Sequence, residues 1–331
     1  MAYYKAYDAG LKCLNKQYEE NTVYEEDGNE ICTNGVMHFC QSPVDTLNFY
    51  SIINCITKER SEFTTVEPLG EIYQTSCKSA SPKIKVGERI PFEDYIKVCT
   101  DYIANHATHE NEIRRESELP IFYSTDSNAM LDIYEYRSKA TSAGIFSSVG
   151  ITSDCSDIAT AGTRTKIFNT GSYNVIASAG PEAQIASLGN GAWIASTGPN
   201  TNIITEGLYS HVACAGYDTT VDATNHAVVA ITGGTSRIAL RDQDSVGAIL
   251  GPCGSISGEI GSWIVLAEWG LKSDASPGLS DGAYVKDIKA AQIDGVNLKP
   301  GVPYRLKDGK FVPYTGESEE DGEINLRTVQ F

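Results

Sequence analysis

Glycine stands at every ninth residue from Gly162 to Gly216: Gly162, Gly171, Gly180, Gly189, Gly198, Gly207 and Gly216. Four residues before each lies a β-branched aliphatic: Ile158, Ile167, Ile176, Ile185, Ile194, Ile203 and Val212. A fixed short period with one aliphatic and one glycine per repeat is the signature of a solenoid, in which each repeat buries its apolar face only by stacking on its neighbours. With glycine as position nine, position five is the aliphatic. Position three is small (Thr165, Asn174, Ala183, Ala192, Thr201, Ser210), and so is position seven (Asn169, Ser178, Ser187, Ser196, Thr205, Cys214). Strand side chains alternate, so positions three, five and seven share one inward face. The glycine falls where each strand ends and the chain turns, a place that often requires positive φ.

The phase extends outward through Ala140 and Val149 upstream and Val221 and Ala230 downstream, which makes eleven nonapeptides over residues 136–234. It slips near Gly233-Gly234, after which Ile238 and Leu240 point inward. There is no six-residue aliphatic period, and the Gly-Gly-x-Gly-x-Asp pattern of calcium-binding nonapeptides is missing. The period therefore predicts a mainly β chain built on a parallel β-helix with two nine-residue arms per coil. Eleven arms give roughly five coils, each rising about 4.8 Å.

Two arms per coil sort the outward residues onto two faces. One face carries Val175, Trp193, His211 and Val229 at position four, with Ala177, Ala195, Ala213 and Ile231 at position six. It is flat and apolar, which predicts cover by a flanking domain or a second copy of the chain. The other face carries Lys166, Gln184, Asn202 and Thr220, with Phe168, Ala186, Ile204 and Asp222, and is mixed.

Composition divides the chain into an aromatic, charged α+β module (1–135), the solenoid (136–255) and a C-terminal β module (256–331) that ends in an acidic run, Glu317 to Glu323. In the first zone, strands are expected at Tyr3–Tyr7 and Val66–Tyr73, and a short helix at 43–50. A longer helix is expected at 91–106, where Pro91 precedes an apolar stripe of Phe92, Tyr95, Ile96, Cys99, Tyr102 and Ile103. In the third zone, strands are expected at Ser262–Trp269 and Tyr284–Ile293, with a hairpin of Tyr304–Leu306 and Phe311–Tyr314 turned at Asp308-Gly309.

Net charge is -17, from 26 basic and 43 acidic residues. This argues against direct nucleic-acid binding, because the backbone phosphates would be repelled. Mimicry of nucleic acid is disfavoured because the solenoid lacks ordered carboxylate columns. No apolar run spans a membrane and no secretory leader is visible at the start, so a cytoplasmic chain with reduced thiols is expected for its nine cysteines.

Few residues suggest chemistry. Cys13, Cys32, His38 and Cys40 have the ligand types for zinc but not the usual close spacing, so buried thiols and no cofactor are the default. His106 and His109, beside Glu110, read as a helix C-terminal cap. There is no nucleophile elbow, phosphate loop or dinucleotide fingerprint. His38 and Tyr50 with Glu268 on a later strand outline an ADP-ribosyltransferase-like plan, an alternative in which the chain uses NAD.

The N-terminal run Lys5-Ala-Tyr-Asp8, Leu11-Lys-Cys13, Gln17-Tyr-Glu19, Tyr24-Glu25, Cys32-x-x-Gly35, His38-Phe-Cys40, Pro43-Val-Asp45 and Phe49-Tyr50 resembles an uncharacterised family of phages, prophages and gut bacteria. This chain has one residue more than the usual pattern between Gly35 and His38. The run Ile260 to Trp269, with Val285-Lys-Asp-Ile288 and Ile293-Asp-Gly295, is similar to that family too. The resemblance implies a mobile-element origin and a β-solenoid between conserved flanks, which could form one domain. It brings no activity with it. The expected function is a non-catalytic accessory binding protein that sequesters a host protein or a small nucleotide signal. A self-associating structural solenoid, and hence a homo-oligomer, is the alternative.

Overall fold

The computed structural model describes residues 2–29, 35–75, 77–107, 120–272 and 282–314, and the backbone of 112–113. Its centre is a parallel β-solenoid of four-residue strands that alternate between two opposed sheets. The first sheet stacks nine parallel strands from Ile121–Ser124 to Trp263–Leu271, and the second stacks eight from Met130–Ile133 to Ser255–Gly258. This makes about eight coils, longer than the five expected. Of the six added arms, Ile121–Ser124 and Met130–Ile133 fall inside the zone 1–135, Arg237–Leu240 and Val246–Ile249 lie between the eleven nonapeptides and residue 255, and Ser255–Gly258 and Trp263–Leu271 reach into the zone 256–331. There Phe122, Leu131, Ile256 and Ile264 take the inward positions, and the glycine column is interrupted.

Partners lie 18 residues apart through the middle of the stack, as in Ile167↔Ile185 and Ile176↔Ile194. The offset drops to 17 at His211↔Val228 and again at Val246↔Trp263. Two turns, 224–227 and 259–262, have four residues where the others have five. The register slip therefore lies ahead of Gly233-Gly234, at 224–227. Because the side-chain period is two, a one-residue deletion exchanges the faces. Val229 and Ile231 point inward and are 1% exposed, while Val228 and Ala230 take the outward positions. Ile238 and Leu240 are inward, as expected.

The glycine column has a cause other than the expected one. The left-handed residues lie two positions later, at Arg164, Tyr173, Glu182, Asn200 and Tyr209. Side chains there cost about 1 kcal/mol each. Each such N–H offsets this by donating one coil onward: Arg164 to the Pro181 carbonyl (2.9 Å), Tyr173 to Asn190 (2.7 Å) and Glu182 to Pro199 (2.9 Å). The glycines themselves stack on backbone. A Cβ on Gly180 would strike the carbonyl of Gly162, one on Gly198 that of Gly180, and one on Gly216 that of Gly198.

Inside, the aliphatic column from Phe122 to Ile264 forms one continuous core. Hydroxyls fill the corners. The position-three hydroxyls of Thr165, Thr201 and Thr219 donate to the carbonyls of Gly162 (2.8 Å), Gly198 (2.9 Å) and Gly216 (2.8 Å). The small columns thus satisfy the buried turn backbone as well as fitting a narrow interior.

The N-terminal module begins with β1 (Tyr3–Tyr7), β2 (Lys12–Cys13), β3 (Lys16–Gln17), β4 (Val23–Glu25) and β5 (Met37–Phe39). A short 3₁₀ helix (Val44–Asn48) leads to β6 (Glu62–Pro68), β7 (Tyr73–Gln74), β8 (Ser79–Ser81), β9 (Lys83–Ile90) and α1 (Phe92–His106). One antiparallel sheet has the order β1-β6-β9-β4, and a small one the order β5-β8-β7. Helix α1 begins at Pro91, carries Glu93 and Asp94 in its first turn, and buries Tyr95, Ile96, Cys99 and Ile103. His106 ends it, donating from Nδ1 to the Tyr102 carbonyl (2.7 Å), as a cap should; His109 and Glu110 lie outside the described residues.

This module covers the mixed face. Phe168, Ala186 and Ile204 share a core with Leu47, Ile52, Phe63, Tyr95 and Ile103. The polar residues of that face join the contact. Gln184 accepts from the Ile52 N–H (2.9 Å) and donates to the Leu47 carbonyl (3.0 Å). Lys166, 2% exposed, donates to Asn48 (2.6 Å). Asp222 binds Arg60 (2.9 Å) and Arg241 (2.8 Å), and Arg60 also pairs with Glu206.

The described C-terminal strands finish the solenoid and add to neither sheet of the N-terminal module. Ala283–Gln292 adds antiparallel to Trp263–Leu271, and the hairpin Tyr304–Lys307/Lys310–Pro313 joins the second sheet through Ile256↔Tyr304. At the other end, Glu112–Ile113 pairs antiparallel with Ile121–Ser124. Antiparallel additions close the first sheet at both ends and the second at its C-terminal end, where they block further parallel stacking, which a solenoid must prevent. The acidic run Glu317 to Glu323 lies outside the described residues.

Candidate ligand pocket

A cavity of about 480 Å³ opens in the N-terminal module, bounded by β1, β5, the 3₁₀ helix and the segment 49–61. Small-molecule pockets are typically about 300–1,000 Å³. Tyr4, Phe39, Phe49 and Tyr50 supply its aromatic walls. Lys5, His38 and Lys78 supply basic groups, and Cys13, Cys40 and Cys55 supply three thiols.

Lys5 is 4% exposed. Its Nζ donates to the His38 carbonyl (2.8 Å) and contacts the Cys13 sulfur (3.6 Å), and it lies over the rings of Tyr7 (5.3 Å) and Tyr18 (5.1 Å). Burial pushes this ammonium below the ordinary lysine value, while the neighbouring Cys13 acts the other way. The Tyr50 hydroxyl donates to the same sulfur (3.1 Å). Burial and then Cys13 hold Tyr50 above the ordinary tyrosine value, so its proton stays in place as a donor. Burial lowers His38, and the nearby Lys78 and Lys5 lower it further. Cys40 is pushed up to about 12, by burial first and then by Asp45. Asp8 accepts from Asn54 (2.5 Å), and Lys78 lies over the Phe49 ring (5.6 Å).

Of the residues singled out in the sequence, Cys13, His38, Cys40 and Tyr50 come together around this cavity. Among the described residues, no three His, Cys, Asp or Glu side chains are placed to hold a metal ion, and Cys32 lies outside them. The zinc set is therefore not assembled from Cys13, His38 and Cys40. The plan of His38, Tyr50 and Glu268 is not assembled either. Glu268 sits at the far C-terminal strands, bound by Lys286 (2.5 Å) and by the Gly309 N–H (2.8 Å), and the cavity has no lining residue beyond Lys78. Lys78 lies in no motif, and Lys5 belongs to the run Lys5-Ala-Tyr-Asp8, whose resemblance assigns it no role. The available signal was a lysine among Tyr3, Ala6 and Tyr7, on a strand covered on both sides.

Among the described residues, nothing covers the predicted apolar face. Val175 and Trp193 are exposed, as are Ala195 and Ala213, with Ala177 half-buried. Half-buried His211 stacks on Trp193 with ring centroids 4.3 Å apart and planes at 7°. The flanking domain thus covers the opposite face from the one expected. Apolarity alone did not decide which. The complementary apolar side chains and backbone partners for Gln184 lie over Phe168 and Ile204.

Residues 1–98 match a family described as a domain of unknown function, DUF7666. This is the part of the chain that builds the cavity. No curated protein and no solved structure matches the chain. Among the described residues, no helix is long and apolar enough to cross a membrane.

Proposed function

We propose that this chain is a non-catalytic binding protein of a phage or other mobile element, whose N-terminal module sequesters a small anionic, aromatic ligand such as a nucleotide signal. One observation carries this reading: Lys5, His38 and Lys78 converge on an aromatic cavity in a chain of net charge -17. Rings stack on a base, and basic groups take up the anionic part. The solenoid supplies a rigid face that fixes the 3₁₀ helix and the 49–61 segment through Lys166, Gln184 and Asp222.

Calorimetric titration with a panel of mono- and dinucleotides tests the proposal. At least one should bind at micromolar concentration, and Lys78→Glu should weaken it at least tenfold without change to the fold. An anion raises the pKa of a nearby histidine, so affinity should strengthen as pH falls through the His38 titration. Binding that is indifferent to Lys78→Glu and to pH, or turnover of the ligand, would reject the proposal.

The exposed Trp193 face favours a second reading, self-association of two solenoids. Contiguous apolar faces of this kind mark interaction surfaces. Sedimentation equilibrium should then detect a dimer at micromolar concentration that Trp193→Arg shifts to monomer, with the melting temperature unchanged. A wild-type monomer at all concentrations would exclude it.

A further inference from the structure

We propose that Cys13 is a covalent capture site, at which the thiol exchanges with an anionic low-molecular-weight disulfide held in the cavity. This rests on the reading of the cavity as an anion pocket and adds the reactive group of its ligand. Two donors from different elements converge on one sulfur: Tyr50 from the segment after the 3₁₀ helix (3.1 Å) and Lys5 from β1 (3.6 Å). A sulfur held by two donors, one of them cationic, is stabilised as negative charge develops on it, and the thiolate is the attacking form in disulfide exchange. The other two thiols of the cavity differ. Cys40 is buried and held protonated, and the exposed Cys55 has no such pair of donors in the hydrogen bonds of the cavity. Cys55, exposed on the same cavity, is the second thiol that a reversible disulfide chemistry uses to release a mixed disulfide.

The step balances. The Cys13 sulfur attacks one sulfur of the ligand disulfide, and a new S–S bond forms as the old one breaks. The departing thiolate carries away the electron pair, and the Cys13 proton passes to solvent. The ligand disulfide is the oxidant: its leaving half is reduced to a thiol, while Cys13 is oxidised to the mixed disulfide.

The test treats the reduced full-length protein with substoichiometric dithiobis(nitrobenzoate), an anionic aromatic disulfide, and in parallel with neutral dithiodiethanol. Labelling rates at Cys13, Cys55 and Cys77 are read by peptide mass spectrometry. Cys13 is expected to react at least tenfold faster than the exposed Cys55 and Cys77. Tyr50→Phe should cut that rate severalfold, and Lys5→Met further. If Lys5→Met does not fold, Tyr50→Phe still decides, because it keeps the ring. Cys13 labelling no faster than Cys55 and Cys77 with either reagent, or unchanged in Tyr50→Phe, overturns the capture site. Fast labelling at Cys13 by both reagents equally supports the reactive thiol and overturns instead the anion preference of the pocket.

Discussion

Replacing Gly180 by alanine should destabilise the protein by about 3 kcal/mol, at the upper end of what overpacking costs. Calorimetry should register this as a melting temperature about 4 °C lower. The added methyl would lie against the carbonyl of Gly162, which is backbone of the coil below and cannot rotate away. The coils must separate locally, and the hydrogen bonds between them, Ala179 N–H to Thr160 (2.8 Å) and Arg164 N–H to Pro181 (2.9 Å), stretch with them. A matched change two positions later gives the contrast. Glu182 is left-handed, so Glu182→Gly should be neutral or slightly stabilising, because glycine reaches that conformation without steric cost. If Gly180→Ala were tolerated while Glu182→Gly destabilised, the close-approach account of the glycine column would be wrong.

Asp222→Asn should cost about 3 kcal/mol at neutral pH, because it leaves two guanidinium groups facing an uncharged partner at the module–solenoid contact. Arg60 has three-quarters of its side chain buried there, so water cannot replace the lost carboxylate fully. Burial alone would raise the pKa of Asp222, but the hydrogen bonds and charges of Arg60 and then Arg241 outweigh it and hold the carboxyl below the ordinary aspartate value. A carboxyl depressed in the folded state contributes stability that is complete above the unfolded value, near pH 4, and lost as pH falls through the folded one. Melting temperatures of wild type and Asp222→Asn should therefore differ most at pH 6–7 and draw together as pH falls below the ordinary aspartate range. A gap that stays constant with pH would mean that the pair acts by packing and not by charge.

The repeat pattern was legible because a solenoid is close to one-dimensional: each residue's neighbour in space is its counterpart one coil away. The period of nine, the inward columns and the two sheets follow from that. Helix α1 and the hairpin at Asp308-Gly309 were legible for a similar reason, since their cores and turns are local. The same logic fails where the pattern is perturbed. The four-residue turn at 224–227 carries no glycine and the next inward residues are again aliphatic, so Ala230 fitted the old phase as well as Val229 fitted the new one. The first and last coils were missed because Phe122 and Leu131, and then Ile256 and Ile264, fill the core without the glycine that marks the middle.

The sequence by itself determined the parallel stack, its period and which side chains face inward over most of its length, because these depend on alternation and on contacts at a fixed separation along the chain. Only the tertiary structure decided which face the N-terminal module covers and where its chemistry sits. Phe168 packs against Tyr95 and Ile103 of a distant helix region, and Gln184 binds backbone at Leu47 and Ile52. The cavity joins Lys5, Cys13, His38, Tyr50 and Lys78 from five separate segments. Such contacts depend on the complementarity of two surfaces far apart in sequence, and no periodicity records that.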